Sequence, residues 1–176
     1  MARLRLGVAL LIPAPLDREV DALRKALGDP GYGRIPAHLT LVPPVNLPSE
    51  RYGEAVAVLA SAAARTQPFR VRLGPPATFL PDSPTLYLPV AETDQPPIEA
   101  LRALVFRDPL ERPLQWPFVP HVTIADEIAP ERIEAAVAAL GSYTAEASFD
   151  RVHLLQESDR VWRPVAGAMF RDTGCC

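Results

Sequence analysis

One short pattern occurs twice in this chain, and it constrains the fold more than any other feature. Pro36-Ala37-His38-Leu39-Thr40-Leu41 returns as Val119-Pro120-His121-Val122-Thr123-Ile124. Each copy reads as a proline-led strand in which His, apolar, Thr and apolar alternate. Side chains two residues apart on a strand project from the same face. His38 therefore shares a face with Thr40, and His121 with Thr123, while Leu39, Leu41, Val122 and Ile124 point the other way, into a core. If two such strands in matching positions pair about a pseudo-twofold axis, both imidazoles and both hydroxyls converge on one cleft.

The flanking sequence supports two similar halves. Arg3 to Ile12 is β-rich and stops at Pro13 to Pro15. Asp17 to Leu27 carries Val20, Leu23, Ala26 and Leu27 at helical spacing, with Gly28 as the C-cap. Asp29 to Pro36 is a Gly/Pro-rich loop, and Ala37 to Val42 is a short strand ended by Pro43-Pro44. Ser49 can cap a helix from Glu50 to Thr66, and Phe69 to Leu73 alternates apolar and basic residues as a half-exposed strand. The second half gives a strand at Thr85 to Ala91, a helix at Pro97 to Arg107 and a proline-rich loop from Asp108 to Pro120. The strand His121 to Ala125 and a helix from Pro130 to Leu140 follow. Phe149 to Gln156 and Val161 to Phe170 form a terminal hairpin. The order β-α-β-α-β then β-α-β-α-β-β predicts an α+β fold over residues 1–176, one bilobal domain with no linker long enough to separate its halves.

Composition excludes several classes. At 176 residues with 48% apolar and 22% charged residues, the chain can bury a core without metals or disulfides, and it is not disordered. The longest apolar run, Gly7 to Pro15, is far short of a membrane span. The arginines before it superficially resemble a signal peptide, but no convincing cleavage site follows, so the segment reads as a first strand. A net charge of −3 argues against a general nucleic-acid-coating basic face, though not against a phosphate pocket. The only cysteines, Cys175 and Cys176, are adjacent in the terminal tail and cannot brace the fold, which fits a reducing, cytoplasmic setting.

The chemistry suited to two facing His/Thr pairs is acid–base catalysis at a phosphodiester. A neutral imidazole deprotonates an attacking water, an imidazolium opposite it protonates the departing ribose oxygen, and both titrate near neutrality. Two threonine hydroxyls can donate to the non-bridging oxygens as charge builds there. No cofactor is called for, and no carboxylate or cysteine cluster near either motif completes a metal site. Of 18 Lys and Arg residues only Lys25 is a lysine, and it lies on an amphipathic helix without the K-x-D-G context of a nucleotidyl-transfer nucleophile. ATP-dependent ligation is thereby excluded. The third histidine, His153, has no partner threonine and reads as exposed or structural. Arg34 and Tyr32 precede His38 closely enough to meet a phosphate or ribose. Trp116 and Phe118 precede His121 and could stack on a base or simply pack their loop. Tyr87 is a core or cleft residue, and Arg70 and Arg72 share one solvated strand face.

His38-x-Thr40 and His121-x-Thr123, about 80 residues apart, resemble the paired motifs of the two-histidine (2H) phosphoesterase superfamily. Within it the chain is most similar to the 2′-5′ RNA ligases, or RNA 2′,3′-cyclic phosphodiesterases, over nearly its whole length. The resemblance implies two βαβ-type lobes with antiparallel sheets facing each other across a central cleft. It implies His38, Thr40, His121 and Thr123 as the catalytic quartet; Arg34, Tyr87 and Phe118 are substrate-binding candidates from their places in the sequence alone. The implied activity is opening of a 2′,3′-cyclic phosphate on an RNA end or nucleotide, with ATP-independent reverse ligation as its reversal. The substrate shell departs from the pattern. Where relatives carry a basic residue and an aromatic after the first motif and an arginine after the second, this chain has Val42-Pro43-Pro44 and Asp126. The first strand, Gly7-Val8-Ala9-Leu10, also lacks the aromatic often found there. Two alternatives stand beside the main reading: a phosphodiesterase for another small cyclic phosphate, and a non-catalytic module binding RNA or nucleotide ends.

Overall fold

The computed structural model describes residues 2–171; Cys175 and Cys176, read above as a tail, lie outside them. Strand β1 (Arg3–Leu11) has a fully buried centre from Leu6 to Leu10, as a strand with neighbours on both sides should. Helix α1 (Leu16–Leu27) opens with Asp17 and Glu19 and closes with Arg24 and Lys25, charges that complement the helix dipole. It ends at Gly28, whose φ of 74° is the left-handed C-terminal conformation glycine adopts freely.

Strand β2 (His38–Pro48) does not end at Pro43-Pro44 as expected. Its pairing with β1 jumps from Val8↔Val42 to Leu6↔Val45. Pro43 and Pro44 fall in the resulting bulge opposite Gly7, where the ladder asks for no N–H. The helix expected from Glu50 is also later and shorter. A 3-10 turn (Ser49–Arg51) precedes α2 (Tyr52–Ala63), and Ser49 makes no capping bond. Thr66, expected in that helix, instead donates its hydroxyl back to the Ala62 carbonyl at 2.8 Å, beyond the helix end.

The remaining elements are β3 (Phe69–Leu73), β4 (Ala77–Thr78), β5 (Leu86–Pro89), α3 (Pro96–Val105), β6 (His121–Ala125), α4 (Pro130–Leu140), β7 (Ala145–Phe149), β8 (Arg151–Ser158) and β9 (Val161–Met169). The single strand expected at Phe149 to Gln156 is therefore two elements, parted at Asp150 and belonging to different sheets.

The topology shows the duplication. The first half runs β1-α1-β2-α2-β3 and the second β5-α3-β6-α4-β7, with β8 and β9 closing the chain. The antiparallel sheet of one lobe, β2-β1-β8-β9, meets that of the other, β4-β5-β6, edge to edge at the β2–β6 pair. The last strands of the two halves, β3 and β7, form a separate antiparallel pair from Phe69↔Phe149 to Leu73↔Ala145. One apolar cluster runs beneath both lobes, joining Leu10, Leu39 and Leu41 to Leu88, Val122 and Ile124. Among the described residues no helix is long and apolar enough to cross a membrane.

Candidate active site

The two halves touch at Leu39↔Val122, the residues that follow the two histidines. Both are fully buried, so their side chains fill the core below the seam. Antiparallel pairing in that register sets His38 opposite Thr123 and Thr40 opposite His121, all on the face away from the core. The four side chains are half-buried, forming the floor of a cleft over the seam.

Each imidazole is held by the same local bond. His38 Nδ1 lies 2.7 Å from the Pro36 carbonyl oxygen, and His121 Nδ1 lies 2.7 Å from the Val119 carbonyl oxygen. A carbonyl only accepts, so Nδ1 carries a proton in both rings, and in the neutral ring Nε2 is left with its lone pair. Burial pushes His38 down to about 4, the bond to Pro36 opposing the shift. His121 is lowered for the same reason, with the Val119 carbonyl and the Asp126 carboxylate pulling the other way.

The surroundings of the two histidines differ. His121 is boxed by aromatic rings: Phe79 meets it edge-on at 5.1 Å and Tyr87 at 5.1 Å, while Phe79 and Tyr87 stack at 4.0 Å. Beside His38 lies a buried ion pair. Arg24 Nε donates to Asp29 Oδ2 at 2.8 Å, and Arg24 Nη1 donates to Asp21 Oδ1 and the Ile35 carbonyl at 2.9 Å each. Asp29 Oδ1 accepts the Gly31 amide at 3.1 Å. These bonds pin the loop that leads into His38. A pocket of about 330 Å³ opens here over Arg24, Arg34, His38 and Thr123. A second, of about 510 Å³, opens over Phe79, Trp116, His121 and Thr123, and Asp126 borders both.

The structure brings His38, Thr40, His121 and Thr123 together and sorts the other candidates. Arg34 lines the first pocket; its Nε donates to the Arg160 carbonyl at 3.1 Å, and its carbonyl accepts the Trp162 amide at 2.7 Å, docking the loop on the β8–β9 turn. Tyr87 pairs with Thr123 and lies against His121 without lining either pocket, so its contact is with the imidazole. Phe118 does not line the cleft: it packs on the core with the Arg102 guanidinium 4.4 Å over its ring. Its neighbour Trp116 does line it, exposed at 62%. Tyr32 is exposed and borders neither pocket. Arg70 and Arg72 pair with Glu146 and Asp94 away from the cleft. His153 shares the cleft face, but Ala9 stands between it and Thr40. Its Nδ1 is buried without a partner among the described residues.

Sequence reasoning missed Phe79 and the Arg24–Asp29 pair. Phe79 stands far from His121 in the chain. Arg24 has the composition of a solvated helix face, and only the loop that folds over it makes it buried. Among the described residues no three His, Cys, Asp or Glu side chains cluster as a metal site would require.

Comparison with known proteins agrees with this architecture. A Bacillus pumilus (strain SAFR-032) protein named "Putative phosphoesterase" is 31% identical over 156 residues, 88% of this chain and 90% of that one. Escherichia coli LigT, solved in complex with 3′-AMP, superposes with a TM-score of 0.64 at 16% identity, covering 97% of this chain and 100% of LigT. The Thermus thermophilus protein TT0787 superposes with a TM-score of 0.63 at 20% identity, covering 97% and 100%. The 2′-5′ RNA ligase superfamily is matched over residues 12–160. On the strength of that match, which takes in both His-x-Thr strands, the chain belongs to the 2′-5′ RNA ligase superfamily.

Proposed function

We propose that the protein is a metal-independent phosphodiesterase that opens a 2′,3′-cyclic phosphate on a nucleotide or an RNA end. The observation that carries this reading is the matched bond of each Nδ1 to a carbonyl two residues back, with neither Nε2 hydrogen-bonded among the described residues and both rings on one sheet face. His38, the more strongly lowered imidazole, stays neutral at a pH where His121 still holds its second proton, and it serves as base. Its Nε2 takes a proton from water as the water oxygen bonds to phosphorus. The bond from phosphorus to one ribose oxygen breaks, and that oxygen takes the Nε2 proton of His121. The hydroxyls of Thr40 and Thr123 donate to the non-bridging oxygens, where charge builds. With a ribose hydroxyl in place of water, the same steps bond its oxygen to phosphorus as the ring P–O bond breaks, which is an ATP-independent ligation. That LigT is solved with 3′-AMP supports a nucleotide-sized ligand.

The test is incubation, with EDTA present, of the protein with nucleoside 2′,3′-cyclic monophosphates and with a short RNA ending in a cyclic phosphate. Turnover is expected, lost on His38→Ala or His121→Ala and reduced roughly 10- to 1000-fold on Thr40→Ala or Thr123→Ala. Full activity of either histidine variant overturns the reading.

A further inference from the structure

Outside the quartet, the polar side chains lining the pocket beside His121 offer a ligand acceptors and, apart from the Trp116 indole N–H, no donors. Thr85 Oγ1 gives its only proton to Asp126 Oδ1 at 2.6 Å. In the 2.8 Å contact between Ser83 Oγ and Thr85 Oγ1, Ser83 must therefore be the donor. Both hydroxyl protons are spent inside the chain Ser83→Thr85→Asp126. The acceptors left over are the lone pairs of Ser83, the carboxylate of Asp82 and Oδ2 of Asp126. Asp126 Oδ1 takes a further bond from the Glu127 amide at 3.1 Å, while Oδ2 has no hydrogen bond among the described residues. Phe79 and Trp116 supply aromatic wall, and the volume of about 510 Å³ suits one ring system.

We propose that this pocket seats an aromatic base carrying an exocyclic amine, whose N–H groups reach Asp126 Oδ2 and its neighbouring acceptors. Among nucleoside 2′,3′-cyclic phosphates the enzyme then favours cytidine over uridine. The proposal rests on the cyclic-phosphodiesterase reading above. Cytosine presents an amine where uracil presents a carbonyl oxygen, so a carboxylate that accepts from the first repels the second. A site built to accept a hydrogen bond discriminates, because the wrong partner sets an oxygen against the half-buried Asp126 carboxylate where the right one brings an N–H.

Cytidine and uridine 2′,3′-cyclic monophosphates match in size and charge, and kcat/KM for the pair is the test, alongside equilibrium binding of 2′-CMP and 2′-UMP. The unmodified protein is expected to prefer cytidine by about tenfold or more in both measurements. Asp126→Asn should narrow or invert the preference, since its amide still accepts from Thr85 and now offers a donor to the uracil oxygen. The ratio is the readout because the charge of Asp126 also acts on His121 and alters turnover of both substrates together. Equal kcat/KM and equal binding overturn base recognition and leave the two-histidine chemistry standing. If neither nucleotide turns over and the RNA ending in a cyclic phosphate also stays intact, that chemistry is refuted; in either case binding decides the pocket: tighter 2′-CMP upholds it, and equal or absent binding overturns it.

Discussion

Leu39 and Val122 are neighbours across the seam between the two halves, and they are equivalent residues of the repeated motif. Because equivalents pair with each other, the local twofold axis passes through this one contact, and the four His and Thr side chains are arranged around it. Leu39→Ala removes a fully buried side chain at the axis. It should cost about 2–5 kcal/mol in denaturant unfolding. The variant that still folds should lose kcat, because the same strands carry all four polar groups. A loss below ~1 kcal/mol with unchanged kcat would contradict this account of the seam.

The pH dependence of kcat/KM should be a bell lying on the acid side of the ordinary histidine value. Its acid limb belongs to His38 near 4 and its alkaline limb to His121, lowered below 6.5 by burial. Asp126→Asn removes a charge that raises His121 and should shift the alkaline limb further down. An optimum above about pH 7.5 would be incompatible with these assignments.

Stability should fall with acid in the same region. The fold favours neutral His38, whereas the unfolded chain takes a proton near 6.5, so its stabilisation is present above 6.5 and lost as pH falls towards about 4. Melting temperature across that window should drop less steeply for His38→Gln than for the unmodified protein. Parallel curves would show that His38 contributes nothing to acid unfolding.

Breaking the Arg24–Asp29 pair should be costly, since both side chains are almost fully buried. Asp29→Ala leaves a buried guanidinium with part of its bonding lost and is expected to destabilise by about 3–5 kcal/mol. Because the pair pins the loop bearing Arg34, KM should rise as well. The double change Arg24→Met with Asp29→Leu should recover much of the stability but not the KM. Thermal unfolding and steady-state kinetics on the three proteins decide it.

Salt should matter little for a mononucleotide. Arg24 is neutralised by Asp29, which leaves Arg34 facing Asp126 and Glu127 around the first pocket. A plot of log(kcat/KM) against log salt should have a slope no steeper than about −1, as for a single phosphate contact. A slope of several units would mean that a longer polyanion track exists.

The candidate catalytic face was legible because a strand has a period of two, so four polar residues in His-x-Thr spacing declare their own orientation. The β-α-β-α-β duplication was legible for a similar reason, from apolar spacing and proline breaks. What escaped depends on distant parts of the chain. The expected stop at Pro43-Pro44 failed because a bulge absorbs two prolines when the opposing residue is Gly7. The break at Asp150 escaped although it leaves a mark in the sequence: Asp150-Arg151 interrupts the period of two between Phe149 and Val152, where the chain changes sheets. Phe118 was singled out for its nearness to His121 in sequence, yet its ring turns to Arg102. Phe79 reaches His121 only because the turn before β5 folds back over Tyr87.

The short β3–β7 pair has a mechanical meaning. It ties the far ends of the two halves together, as the Leu39–Val122 contact ties their middles, and one core runs under both. Halves stitched at these two places, and again by the Leu73–Val90 bridge, are poorly built to work as jaws. The cleft is an anvil, cut to shape before any ligand arrives, and whatever closes over a bound phosphate has to come from the ligand itself or from loops at the rim.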